Sequence, residues 1–308
     1  MLTNEETRPF WSVMIPVYNA PESYLEETLR SVLQQDPGPE VMQIEVVDDC
    51  SPNGTPAALI RRVAGDRVSL NCAKKNRGLA GTWNRCIELA RGEWVHILHQ
   101  DDYVLPGFYN RISKAAKTHP SVSLIATRSF FIDSDGIITG VTNRYPNMES
   151  GSNAVADFFY ETPIQCPGVV VKRSAYEQCG GFRSDLAFMI DREMWVRAIA
   201  FGGGLITPEV LSCYRMSVQN ETMRLRRSGE GLRDIERLIQ IFEAQFPGFD
   251  PKIARQDVYY KAIDQAERFA KAGDSEAAKA NLDFWRNNAP VWLRLRRAGV
   301  KIARGVFG

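Results

Sequence analysis

Four short stretches of the chain carry side chains whose types and spacing could do chemistry. In His99-Gln100-Asp101-Asp102-Tyr103 two adjacent carboxylates follow an apolar run, where burial penalises them unless a cation or a donor network compensates. A hard divalent ion, Mn²⁺ or Mg²⁺, supplies that compensation with Asp101 and Asp102 as ligands, and fills its remaining positions with diphosphate oxygens and water. The competing reading is an acidic turn that caps the next helix, ahead of Pro106. Asp48-Asp49-Cys50-Ser51 closes another apolar run in the same way. One of its carboxylates could accept from a base N–H or a ribose hydroxyl; alternatively Ser51 or Asn53 caps a helix starting near Thr55. Asn76-Arg77-Gly78-Leu79-Ala80-Gly81 lets backbone approach a ligand closely but is neither a P-loop nor a G-x-G-x-x-G fingerprint. In Ile190-Asp191-Arg192-Glu193, Asp191 stands at the start of a helical stretch, as a general base towards a hydroxyl or as an acid favoured by the helix dipole.

The elements that must position these groups follow from the hydrophobic pattern. Short β-branched runs, SVMIPV from Ser12, QIEVVDD from Gln43, VSLNCA from Val68, WVHILHQDD from Trp94 and VSLIATRSFFID from Val122, alternate with amphipathic stretches. Near-continuously apolar strands need helices on both faces, so the fold class is α/β with a mixed, mostly parallel sheet. Pro16, both Asp-Asp pairs and the Asn76–Gly81 stretch then fall where the chain leaves the sheet, the edge at which open α/β sheets bind ligands. A long loop is expected from Gly136 to about Ala154, a further strand in PGVVVKR from Pro167, and a helix from about Ile190 to Phe201. Beyond Asn220 the chain reads as helices with charged faces over 230–289, turning at Gly273-Asp274. Residues 290–308 hold Arg294, Arg296, Arg297, Lys301 and Arg304 with no acid, interleaved with apolar residues. Two readings fit them: an amphipathic helix on an anionic membrane surface, or a terminal helix packing its apolar stripe on the protein.

Composition narrows the function classes. With 38 Lys+Arg against 37 Asp+Glu, the net charge of +1 provides no field for nucleic acid. The six cysteines form no C-x-x-C pair and are too sparse for a disulfide scaffold. No apolar run approaches the roughly 18 residues of a membrane span. The acidic, polar beginning does not read as a signal peptide, so the expected place of action is the cytoplasm, peripheral to a membrane if the basic tail binds one. His96, His99 and His119 are not spaced as a zinc site.

The order of the motifs carries a resemblance. Ile15-Pro16-Val17-Tyr18-Asn19, Val47-Asp48-Asp49-Cys50-Ser51, Asn76-Arg77-Gly78-Leu79-Ala80, Gln100-Asp101-Asp102, Gly180-Gly181-Phe182, Asp191-x-x-x-Trp195-x-Arg197 and Tyr214-Arg215 together resemble the family 2 glycosyltransferases of GT-A fold, over about two thirds of the chain. The resemblance implies transfer of a sugar, with inversion, from a nucleotide-diphosphate donor, most commonly a UDP-sugar, to the hydroxyl of a glycan or lipid-linked acceptor. It implies a nucleotide pocket lined at Pro16, Tyr18, Asn19, Asp49, Asn76 and Gly78, and metal binding at Asp101 and Asp102, the second being the direct ligand. It makes Asp191 the base. The catalytic domain is expected over 1–220 and a helical appendage over 221–308. Two departures stand out: Ile190 precedes Asp191 where the family often has Glu, and no histidine follows Tyr214-Arg215, whose neighbours are Met216, Ser217 and Val218. Arg215, with Arg224 or Arg226, is expected to serve the diphosphate instead. The alternatives are a sugar-nucleotide nucleotidyltransferase, although the Gly-rich loop of that group is absent around Ile15–Asn19, and a catalytically silent glycan- or nucleotide-binding protein.

Overall fold

The computed structural model describes residues 8–147, 164–216 and 221–295. The chain forms two compact units, Met1–Asp185 with Ile190–Ser217, and Leu186–Met189 with Val218–Gly308.

The first unit is built on a single sheet. β1 (Trp11–Val17), β2 (Met42–Asp48), β3 (Ser69–Cys72) and β4 (Trp94–Ile97) lie in the order β3-β2-β1-β4, all parallel, and are connected through α1 (Glu22–Leu33), α2 (Ala57–Ala64) and α3 (Gly78–Leu89). Every residue of β1 and β2 is buried, as a strand covered on both faces requires. Val13, Ile15 and Val17 alternate onto one face with Ile44 and Val46, where they meet Leu25 and Leu29 of α1 and Ile60 of α2 in one core cluster. Pro16 has no N–H to give a ladder. It is accommodated because the β1–β4 pairing runs only from Trp11 to Met14, so the two strands have parted where Pro16 stands.

The sheet continues through β5 (Tyr103–Val104), β6 (Leu124–Ile132), β7 (Ile138–Val141), β8 (Val169–Lys172) and β9 (Gly204–Arg215), in the order β4-β8-β6-β9-β5 with β7 on β6. Here the pairing is mixed: β8 is antiparallel to β4 and β6, and β5 to β9, whereas β6 and β9 are parallel. α4 (Phe108–Thr118), a 3-10 turn at Cys166–Gly168, α5 (Arg173–Cys179) and α6 (Ile190–Gly202) complete the unit. Three strands depart from the sequence expectation, the short β5 among them. β7 occupies part of the stretch read as a loop from Gly136, the remainder of which is described only as far as Asn147. β9 was not among the expected strands, and Pro208 stands within it. The β6–β9 register jumps from Ala126 opposite Ile206 to Arg128 opposite Val210, and Pro208 sits within that irregularity, where no ladder bond is required of it.

The second unit is helical: α7 (Glu221–Arg227), α8 (Glu230–Gln245), α9 (Pro251–Lys271) and α10 (Ser275–Asn288). The Asp250 and Asp274 side chains cap α9 and α10, and Gly273, at φ 80°, makes the turn expected there. Within this unit the fully buried Asp234 carboxylate accepts backbone N–H groups of Ala187, Phe188 and Met189. Of the basic segment 290–308, residues 291–295 are helical with Leu293 buried and Trp292 exposed; from residue 296 onward it lies outside the described residues. No helix among the described residues is long and apolar enough to cross a membrane.

Candidate active site

The carboxyl ends of β1, β2 and β4 bring three turns together. Tyr18 follows β1 and is half exposed; its N–H donates to the Gln100 side chain (2.8 Å), whose amide donates back to the Tyr18 carbonyl (3.3 Å). Asn19 takes a left-handed conformation, φ 50°, which asparagine tolerates better than most residues. Its N–H donates to Ser51 Oγ (2.8 Å) and its side chain accepts from Asn53 (2.5 Å). The β1 turn is thus tied on one side to the turn after β2 and on the other to the turn after β4.

The Asp48-Asp49 turn is saturated. Asp48 accepts from the Ser51 hydroxyl (2.5 Å) and N–H (3.2 Å). The buried Asp49 carboxylate accepts the N–H groups of Arg77 (2.7 Å) and Gly78 (3.0 Å), at the entrance of α3. Asp49 therefore holds the N-terminus of α3. The expected capping of a helix near Thr55 by Ser51 or Asn53 does not occur: α2 begins after Pro56 with no side-chain cap. Asn76 joins the same network, accepting from Gly78 N–H (3.0 Å). Gly78 itself has φ 70° with open space where a Cβ would be.

The turn after β4 is different. Asp102 is buried, one of its oxygens accepting the Arg215 N–H (2.8 Å) and the other, Oδ2, having no hydrogen-bond partner among the described residues. The nitrogen Nδ1 of His99 stands 3.6 Å from that oxygen, too far for a hydrogen bond, and His99 Nε2 is buried and unpartnered as well. One donor atom from each of His99, Asp101 and Asp102 lies within 4.8 Å of the others. Burial pushes the Asp101 and Asp102 carboxyls up from the usual carboxylate range, Asp102 the further because Asp101 adds to it. Burial lowers His99 to about 4, leaving a neutral imidazole. A buried carboxylate oxygen without a donor, beside a neutral nitrogen, fits a divalent cation. His99 is the residue the histidine-spacing argument passed over; its signal was its place two and three residues before the acids.

Arg215, expected at the diphosphate, has a different position. It is 3% exposed, and its guanidinium donates to the carbonyls of Asp101 (3.0 Å), Asp133 (3.1 Å) and Ser134 (3.2 Å) and to the Glu27 carboxylate, while lying over the Tyr24 ring. With its donors so committed it locks the acidic turn in place. Thr28 of α1 adds a hydroxyl that reaches the Asp102 carbonyl (2.7 Å). Arg224 pairs with Glu221 within α7 (2.6 Å).

Asp191 opens α6. Its carboxylate accepts the Arg192 N–H (2.6 Å) and faces the Cys166 thiol (3.5 Å), and burial raises its pKa. It lines a small pocket together with His99, Trp83, Cys166, Phe182 and Trp195. Trp83 stacks on His99 and meets Phe182 edge to face. The Phe182 stretch is fixed by Asn84, which bonds both its N–H (2.7 Å) and its carbonyl (2.9 Å), and any Cβ on Gly181 would fall 2.2 Å from Asn84 Oδ1. The pocket therefore joins the acid expected as a base to the turn expected to hold a metal. His96 is separate from it, buried between Tyr109 and the Pro167 carbonyl and stacked on Phe108.

A curled mixed sheet with an acidic turn at its carboxyl edge is the architecture of GT-A enzymes. Residues 12–180 match the family described as Glycosyl transferase family 2, more than half of the chain, and the protein belongs to that family and is a glycosyltransferase. An uncharacterized protein, MT1568, of Mycobacterium tuberculosis is 30% identical over 246 residues, 75% of each chain. The putative teichuronic acid biosynthesis glycosyltransferase TuaG of Bacillus subtilis is 37% identical over 97 residues, 31% of this chain and 37% of that one. Among solved structures, S. aureus TarS 1–349 in complex with UDP-GlcNAc superposes with TM-score 0.61 at 14% identity, covering 90% of this chain and 91% of that one. The mannosyltransferase PcManGT of Pyrobaculum calidifontis, in complex with GDP-Man and Mn²⁺, superposes with TM-score 0.56 at 20% identity over 96% and 81% of the chains. At these identities the two structures share the fold.

Proposed function

We propose that the protein transfers a sugar, with inversion, from a nucleotide-diphosphate donor of the UDP-sugar class to the hydroxyl of a surface glycan or glycolipid acceptor. The observation that carries this reading is the pocket in which Asp191 and His99 meet, because it places a base candidate beside the acidic turn. Asp101 and Asp102 are the residues that would hold Mn²⁺ or Mg²⁺, which when bound neutralises charge on the departing nucleoside diphosphate. Asp191 accepts the proton of the attacking acceptor hydroxyl, and its raised pKa brings it closer to the pH at which it must act. The acceptor oxygen displaces the diphosphate from the opposite face of the sugar, so one displacement inverts the anomeric centre. The aromatic walls formed by Trp83, Phe182 and Trp195 keep water from competing with the acceptor. Tyr18, Asn19, Pro16, Asn76 and Gly78 border the nucleotide, Tyr18 through its exposed ring. Asp49 forms the floor of that site through α3.

Residues 1–220 form the catalytic domain in this reading and 221–308 the helical appendage, whose final segment meets an anionic membrane surface carrying the acceptor. The TuaG and TarS likenesses support a surface-polymer acceptor and a UDP-sugar donor, and the PcManGT likeness supports Mn²⁺. The test is a thermal-shift panel of nucleoside diphosphates and nucleotide sugars with and without Mn²⁺. A ligand that binds only the folded protein raises its stability by about 2.7 kcal/mol at a hundred times its Kd. A metal-dependent shift with UDP or a UDP-sugar is expected. No shift with any nucleotide sinks the reading.

A further inference from the structure

We infer that His99 is the third protein ligand of the metal site, making it a mixed nitrogen and carboxylate centre that favours Mn²⁺ over Mg²⁺. This rests on the metal-dependent donor reading and goes beyond it, because the paired acids alone do not distinguish the two ions.

One unmet carboxylate oxygen and the imidazole nitrogen beside it carry the inference. Asp102 Oδ2 is buried in a residue that is 1% exposed, and no donor reaches it. His99 Nδ1 stands 3.6 Å from it, which is beyond a hydrogen bond yet within the span of two ligands on one ion, since donors each about 2.1 Å from a cation stand at most about 4.2 Å apart. A cation shared by these two atoms gives Oδ2 the partner it lacks. Leaving a buried polar group unmet costs about 1–3 kcal/mol, so a native turn that keeps the unmet Asp102 Oδ2 facing His99 Nδ1, in a ring whose Nε2 is also unmet, is poised for a ligand.

The surroundings hold the imidazole in place for this task. Its ring stacks on Trp83 at 4.9 Å between centroids and 29° between planes, and Trp83 is braced by Phe182. Arg215 holds the other oxygen of Asp102 and the Asp101 carbonyl, which leaves Oδ2 as the free ligand atom of that carboxylate. A ring nitrogen is a poorer partner for Mg²⁺, which takes oxygen ligands, than for a transition ion. The chain has no histidine after Tyr214-Arg215, and His99 supplies a nitrogen to the turn from its own sequence.

The experiment is pulsed electron paramagnetic resonance of Mn²⁺ on the full chain, alone and with UDP, together with calorimetric titration of Mn²⁺ and Mg²⁺. The wild-type complex is expected to show the ¹⁴N modulation of a bound imidazole, and His99→Ala to lose it while weakening Mn²⁺ by roughly 10–100-fold, the range for disturbing a metal ligand's support. His99→Asp is expected to keep Mn²⁺ binding without the ¹⁴N signal and to narrow the preference over Mg²⁺. The wild-type spectrum needs no variant to fold. Mn²⁺ bound at the site without imidazole modulation overturns the assignment of His99 and leaves the donor reading standing. Failure of Mn²⁺ to bind with or without UDP overturns both.

Discussion

The Asp48-Asp49 turn and the Asp101-Asp102 turn follow β2 and β4, the two strands that flank β1, and Asp48, Asp49 and Asp102 are nearly inaccessible to water while Asp101 is partly exposed. In the first, both carboxylates accept hydrogen bonds from their own turn or from the start of α3. In the second, one oxygen of Asp102 has nothing to accept from, and burial raises both carboxyls. The same two residues at equivalent places thus do different work, and what separates them is the supply of N–H groups. α3 begins beside Asp49 and presents two free amides to it. The turn after β4 runs into the two-residue strand β5, so no helix N-terminus arrives, and among the described residues the Arg215 N–H is what reaches the Asp102 carboxylate. A carboxylate pair at a sheet edge is structural where a helix starts against it, and remains available to a cation where none does.

Perturbing each turn can break or sharpen this contrast. The largest effect is expected from Asp102→Ala, which should abolish Mn²⁺-dependent binding of UDP in a titration while the fold persists; undiminished affinity would remove the difference between the turns. Asp191→Asn should retain donor binding but lower kcat by roughly 10²–10⁴-fold, the contribution of a positioned base. Near-wild-type turnover would detach the pocket from the acidic turn it adjoins. The pH profile of the wild type should then show turnover rising about tenfold per unit as Asp191 ionises, with its midpoint above the ordinary carboxylate value of 3.8 because burial disfavours the charged form. Asp191 is the base only when deprotonated, so activity is lost on the acid side, and a flat profile from pH 4 upward would count against it. The smallest effect on chemistry is expected from Asp49→Asn. It should cost roughly 1–3 kcal/mol of stability by weakening the hold on α3, seen as a lowered Tm, with UDP affinity changed by less than tenfold. A large loss of affinity at unchanged Tm would mean that Asp49 touches the donor directly.

What could be read from the sequence follows the range of the forces involved. β1, β2 and β4 were legible because their runs are apolar, the mark of strands buried on both faces, and the helices of 230–289 because their charged faces and the turn at Gly273-Asp274 are local signals. β9 was not, since Pro208 argues against a strand until the irregularity that shelters it is seen. The acids of the site were found as motifs, but their partners were not. Asp49 meets amides 28 and 29 residues away, and the guanidinium of Arg215 meets acceptors from 81 to 188 residues away. Arg215 looked like a free cation for a diphosphate because nothing adjacent in the chain consumes it. His99 was set aside by a rule about spacing between histidines, whereas its partners are carboxylates.

The Arg215 lock also has a consequence for when the enzyme comes to life. It joins the last residue of β9 to Glu27 in α1, to the Asp101 carbonyl and to the loop at Asp133 and Ser134. During synthesis the chain emerges from its N-terminus, and β1 to β4 with their helices can assemble from local and neighbouring contacts long before residue 215 leaves the ribosome. Until it does, Asp102 lacks its one backbone donor and the acidic turn lacks its clasp. A nascent or prematurely ended chain can therefore possess the parallel half of the sheet without the clasp on its acidic turn.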